Sequence, residues 1–157
     1  METFLGQMGL GLVLGLGALG SALGIGAAGR SAAGAWAKQA KAGERLSFTY
    51  MVLLGMPLTQ TIYAFILMYV GLSGPSLDAE MVGRFGGVLL SVGIAGGLAE
   101  MFSAWMQGLI GSSAIRALSE GEGKGFVFMI IAMGIAETVG VFGFVFLYLQ
   151  LTALATV

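Results

Sequence analysis

A chain of 157 residues in which 57% of side chains are hydrophobic and 10% are charged, with a mean hydropathy of +0.95, cannot be an ordinary water-soluble domain. Its net charge of −1 comes with no basic patch of the kind that binds nucleic acid. The absence of cysteine and histidine excludes disulfides, thiolate metal centres and the usual near-neutral proton carrier, so buried proton or cation chemistry must fall to carboxylates and neutral oxygens.

Two uncharged runs, Thr3 to Gly29 and Leu46 to Leu77, each exceed the roughly 20 residues that carry a helix across a hydrocarbon core. They are also too long for barrel strands. The pattern predicts an all-α membrane protein with four transmembrane helices at about residues 3–34, 46–72, 82–118 and 124–151. These form two tandem helical hairpins, residues 1–80 and 81–157. At 1.5 Å per residue the first span would measure roughly 48 Å, so it should tilt or protrude. The early sequence carries only Glu2 and no basic stretch, so it does not read as a secretory signal, and the chain reads as mature from Met1.

The first span is rich in glycine, from Gly9 to Gly34, and the third repeats the theme from Gly83 to Gly111. In lipid such residues let helix backbones approach closely, either within one four-helix bundle or on more than one side. The connections differ in charge. Lys38, Lys41 and Arg45 lie in the first, and Arg116 and Lys124 flank the third, whereas the second has a Gly74-Pro75 turn signal with Asp78 and Glu80 against Arg84. By the positive-inside rule, loops 35–46 and 118–124 face the cytoplasm and both termini lie outside. Arg30 can snorkel from the end of the first helix.

The halves look alike at an offset of 79 residues. Gly17 pairs with Gly96, Gly29 with Gly108, Arg45 with Lys124, Thr59 with Thr138, Phe65 with Phe144 and Tyr69 with Tyr148. At one position the copies diverge: Leu58 stands where the second copy has Glu137.

Glu137 is the one charge between Gly125 and Leu149. A carboxylate at bilayer depth costs about 2.5–3.5 kcal/mol on insertion scales, which makes it a functional-site candidate. It lies thirteen residues beyond Lys124, Gln107 thirteen before Glu120, and Thr59 and Gln60 about fourteen beyond Arg45, so all four reach one level, roughly 20 Å from the cytoplasmic connections. Their oxygens suit a hard monovalent cation. Tyr63, one turn after Gln60, can donate to the carboxylate. Pro57 cannot donate to the Leu53 carbonyl, so the backbone should be disturbed beside this cluster. Glu100, seven residues before Gln107, lies on the same helical face farther from the cytoplasm. It reads as a protonated residue between helices or facing a wet interior, or else as an extension of an ion path.

The pieces Pro57-Leu58-Thr59-Gln60-Thr61-Ile62-Tyr63-Ala64-Phe65, Gln107-Gly108 and Ala136-Glu137-Thr138, set in a four-span plan, resemble the proteolipid (c-ring) subunit of V-type ATPases. The form is the duplicated four-helix one, closest to the K subunit of bacterial sodium-transporting enzymes. The resemblance implies that Thr59, Gln60, Gln107 and Glu137 bind Na⁺ together with the carbonyl of Met56, with Tyr63 bracing Glu137. It further implies a homo-oligomeric rotor ring in the lipid bilayer, a stator protein supplying an arginine, and a central stalk on the cytoplasmic loops. Glu100, Leu58 and Thr61 depart from the family pattern. The alternatives are a proton-carrying ring of the same family, a small secondary transporter using Glu137, and a structural membrane scaffold. No phosphate-binding glycine loop with its lysine is present, so ATP chemistry is expected in partner subunits and this chain is expected to be a non-catalytic, ion-translocating subunit.

Overall fold

The computed structural model describes residues 1–73 and 79–154. Helix α1 (Glu2–Lys41) is followed by α2 (Thr49–Gly55), a 3-10 turn (Met56–Leu58) and α3 (Thr59–Ser73). The second half consists of α4 (Ala79–Arg84), α5 (Gly86–Glu120) and α6 (Phe126–Leu154). Four segments are long and apolar enough to cross a membrane: Glu2–Lys41, Thr49–Gly71, Gly86–Glu120 and Phe126–Leu154. The described residues contain no strand, and the molecule is an all-helical, multi-pass integral membrane protein.

The helix ends differ from the expected spans. Helix α1 runs on past Gly34 to Lys41, because the alanine-rich stretch after Gly34 favours helix, and Lys38 and Lys41 complement the negative end of the helix dipole. The third span does not begin at residue 82: Phe85, with φ −112° and ψ 15°, breaks the helix between α4 and α5. The expected Gly74-Pro75 turn and Asp78 lie outside the described residues.

The two glycine-rich helices, α1 and α5, form the central pair of the bundle, with α3 packed against both and α6 resting on α5 and α3. Glycine makes the α1–α5 contact possible. A Cβ on Gly9 would run into the backbone of Leu89 and Leu90, and one on Gly24 into the carbonyl of Ala104. From the other side, a Cβ on Gly93 would strike the Gly9 backbone, and one on Gly108 the Gly24 backbone. Close backbone contact of this kind gains dispersion energy that lipid cannot supply to either helix alone. By contrast, the buried residues of α6 are Met133, Gly140 and Leu151, and the rest of its surface is largely turned outward.

Side chains inside the bundle are sorted by depth. One apolar cluster gathers Ala28, Ala32, Leu53, Ile115, Leu118 and Met133 near the α5–α6 connection. A second gathers Leu10, Val13, Leu67, Val92 and Leu151 toward the other end. Between them lie the buried polar residues Ser21, Gln60, Glu100, Ser103 and Gln107. At the basic end the connections are pinned by polar contacts: Trp36 Nε1 donates to the Ser47 carbonyl at 2.9 Å, Gln39 Oε1 accepts from the Ser47 amide at 3.0 Å, and Lys38 Nζ donates to the Ser119 carbonyl at 3.2 Å.

Helix propensity and packing pull in opposite directions at the central seam, which gives a test. Gly93→Ala should destabilise the protein by about 1–3 kcal/mol, through forced separation of α1 and α5. Gly26→Ala, where a Cβ meets nothing within 4 Å in the subunit, should be neutral or slightly stabilising. Unfolding titrations of the two variants in mixed detergent micelles measure the difference.

Candidate ion-binding site

Proline shapes the α3 side of the polar layer. Pro57 has no N–H to give the carbonyl of Leu53, and the chain tightens there into the 3-10 turn, with the Thr59 N–H bonded to the Met56 carbonyl. Thr59 Oγ1 lies 3.0 Å from that same Met56 carbonyl and 3.1 Å from Gln60 Oε1. One hydroxyl proton cannot serve both acceptors at once. On the far side of the turn, Ser21 Oγ of α1 donates to the Pro57 carbonyl at 2.5 Å, and Thr61 Oγ1 donates to Ser21 Oγ at 2.7 Å. Thr61 thus helps fasten the disturbed backbone to α1.

Glu137 is approached from two other helices. Tyr63 Oη of α3 donates to its Oε1 at 3.3 Å, and Gln107 Nε2 of α5 donates to its Oε2 at 3.2 Å. The Tyr63 ring is held by stacking on Phe144, with centroids 5.3 Å apart. The same Gln107 amide nitrogen reaches the Met133 carbonyl at 3.2 Å. Both amide hydrogens are thereby committed, and Gln107 Oε1 is left buried with no hydrogen-bond partner among the described residues.

Ser103 joins the two parts. Gln60 Nε2 donates to Ser103 Oγ at 3.1 Å, and Ser103 Oγ donates to the carbonyl of Ala136 at 2.9 Å, the residue before Glu137. The structure therefore brings the expected residues into one polar layer, with Gln107 and Tyr63 on the Glu137 carboxylate and Met56, Thr59 and Gln60 in a connected group alongside. Gln60 and Gln107 are fully buried, whereas Thr59 and Glu137 are partly exposed at the bundle's side. Glu100 is fully buried one turn from Ser103, and neither carboxylate oxygen has a partner among the described residues. Leu58, which stands in the first half where the second has Glu137, is 52% exposed and faces outward.

Sequence reasoning missed Ser103 and Ser21. For Ser103 a signal existed, because it stands three residues after Glu100 and four before Gln107 and so shares their helical face. Ser21 carried none, since its role depends on where the Pro57 turn meets α1.

The fold and this layer define a membrane protein of two like hairpins that holds the Glu137 carboxylate among neutral oxygens between apolar layers, with Glu100 buried nearby. A sequence profile for the c-subunit of ATP synthase matches residues 8–70 and again residues 90–149, one match in each hairpin. The chain belongs to the ATP synthase c-subunit family, whose members form oligomeric, ion-translocating rings in rotary ATPases. Comparison with individual curated proteins gave no match.

The bridging position of Ser103 has a measurable consequence. Ser103→Ala removes the acceptor for Gln60 and the donor to Ala136, and should lower stability by about 1–3 kcal/mol. Thermal dissociation of the assembled oligomer, compared with wild type, checks it.

Proposed function

We propose that this chain is the proteolipid (K) subunit of a sodium-transporting V-type ATPase, and that each copy in the ring carries one Na⁺ at Glu137. The supporting observation is a group of oxygens at one depth with acceptor capacity to spare. The Met56 carbonyl already accepts the Thr59 N–H and lies within reach of the Thr59 hydroxyl, whose one proton is also the only donor near Gln60 Oε1, and Gln107 Oε1 has none among the described residues. A small hard cation takes up such capacity, and the single charge of Glu137 matches a monovalent ion. Glu137, Gln107, Gln60 and Thr59 supply side-chain oxygens, Met56 its carbonyl, and Tyr63 steadies the carboxylate.

The mechanism follows from charge. Na⁺ bound at Glu137 neutralises the carboxylate, so the loaded subunit passes the lipid at far lower cost than an empty, ionised one. An arginine supplied by the stator competes for the carboxylate and releases the ion into an aqueous half-channel. The basic loops at residues 35–46 and 118–124 face the cytoplasm and dock the central stalk, both termini lie outside, and partner proteins carry out ATP hydrolysis or synthesis. Leu58 cannot hold an ion, so ions moved per turn equal the number of subunits.

Two outcomes test this reading. Glu137→Gln should insert and assemble but lose ion transport and coupled ATP turnover; a fully coupled mutant enzyme refutes the assignment. Na⁺ should slow carbodiimide labelling of Glu137 at neutral pH in the wild-type ring, and labelling indifferent to Na⁺ would assign the ring to protons.

A further inference from the structure

Glu100 takes no part in the cation cage, yet it is the most deeply buried acid described, at 0% exposure. It sits where all four long helices meet through small groups. A Cβ on Gly17 of α1 would stand 3.5 Å from the Glu100 Cβ and 3.4 Å from the Gln60 carbonyl of α3. A Cβ on Gly140 of α6 would stand 2.8 Å from Glu100 Oε2 and 2.9 Å from Ser103 Oγ. Glycine at 140 therefore leaves a space that the carboxyl group and the hydroxyl both border.

No cation pairs with Glu100 among the described residues. The titratable groups near enough to interact with it electrostatically are Tyr63 on α3 and Glu137 on α6, and Gly17 on α1 brings none. An ionised carboxylate with two unpartnered oxygens at this depth would bear the full cost of desolvation with nothing to offset it. A cargo ion must also exchange with water on each side of the membrane, and a fully enclosed group has no route for that. Ser103, meanwhile, has an acceptor to spare. Its proton goes to the Ala136 carbonyl, Gln60 Nε2 takes one lone pair, and the other is open.

We propose that Glu100 binds a proton that stays with the subunit through every turn and offers it to Ser103, which makes this acid a positioning residue for Gln60. A hydroxyl that accepts from both Glu100 and Gln60 while donating to Ala136 is fixed in rotation. The Gln60 amide is then held with Nε2 on Ser103 and Oε1 toward Thr59 and the cation. The coupling to the cation rests on the sodium reading above; the resident proton does not.

Infrared spectra of the assembled ring at neutral pH separate the two. The wild-type minus Glu100→Gln difference should contain the C=O stretch of one protonated carboxyl group, displaced in Ser103→Ala as its hydrogen bond is lost. Carboxylate stretches in its place, or a band unmoved in Ser103→Ala, would overturn the proposal. For positioning, Glu100→Gln retains an N–H that can serve Ser103, whereas Glu100→Met does not. The Na⁺ concentration that half-protects Glu137 from carbodiimide should stay within about twofold of wild type in the first and rise about five- to tenfold in the second. Equal values for the two variants would overturn the positioning role. A wild-type ring that ignores Na⁺ would sink the sodium reading, and the infrared band would still decide for or against Glu100.

Discussion

Inside hydrocarbon no water arrives to satisfy an oxygen, and every lone pair in the layer of Gln60, Ser103, Gln107 and Glu137 must find its partner within the protein or in an ion it carries. The structure follows this constraint closely. Two apolar clusters seal the layer from above and below. Within it, each side-chain donor atom reaches a named acceptor, from Tyr63 and Gln107 to the carboxylate and from Gln60 through Ser103 to the Ala136 carbonyl. The buried oxygens left without a donor among the described residues are those of Glu100 and Gln107 Oε1, and a cation or a proton can serve them.

The glycines of α1 and α5 serve the same end by geometry. Backbone contact between these helices at Gly9 and Gly93, and at Gly24 and Gly108, draws the bundle in far enough for side chains from α3, α5 and α6 to meet in one layer. The cost in helix propensity, roughly 1 kcal/mol per glycine relative to alanine in water, is set against packing that lipid tails cannot replace.

Much of this was legible from residue order alone. Charge spacing located four spans, and counting residues from the basic connections put Thr59, Gln60, Gln107 and Glu137 at one level, because a helix converts sequence distance into depth at a fixed rise. Pro57 announced a break, found as the 3-10 turn. The helix ends were harder to read: Phe85 gives no sequence sign of the break before α5, and nothing in the alanines after Gly34 separates membrane helix from its protruding end. Contacts between helices were least accessible. Ser21 and Ser103 are ordinary serines until packing sets one against the Pro57 carbonyl and the other between Gln60 and Ala136.

Leu58 carries the last consequence. Where the second hairpin has an acid, the first presents an outward-facing aliphatic side chain, so under the ion-carrying role proposed for Glu137 half of the hairpins around the circumference run without a load. A rotor built this way is low-geared: each revolution delivers half as many charges as a wheel of equal girth with an acid on every hairpin. For the same ATP spent per revolution, it can drive those charges up an electrochemical slope about twice as steep. That ratio is fixed by one side chain per subunit and requires no change in the motor head.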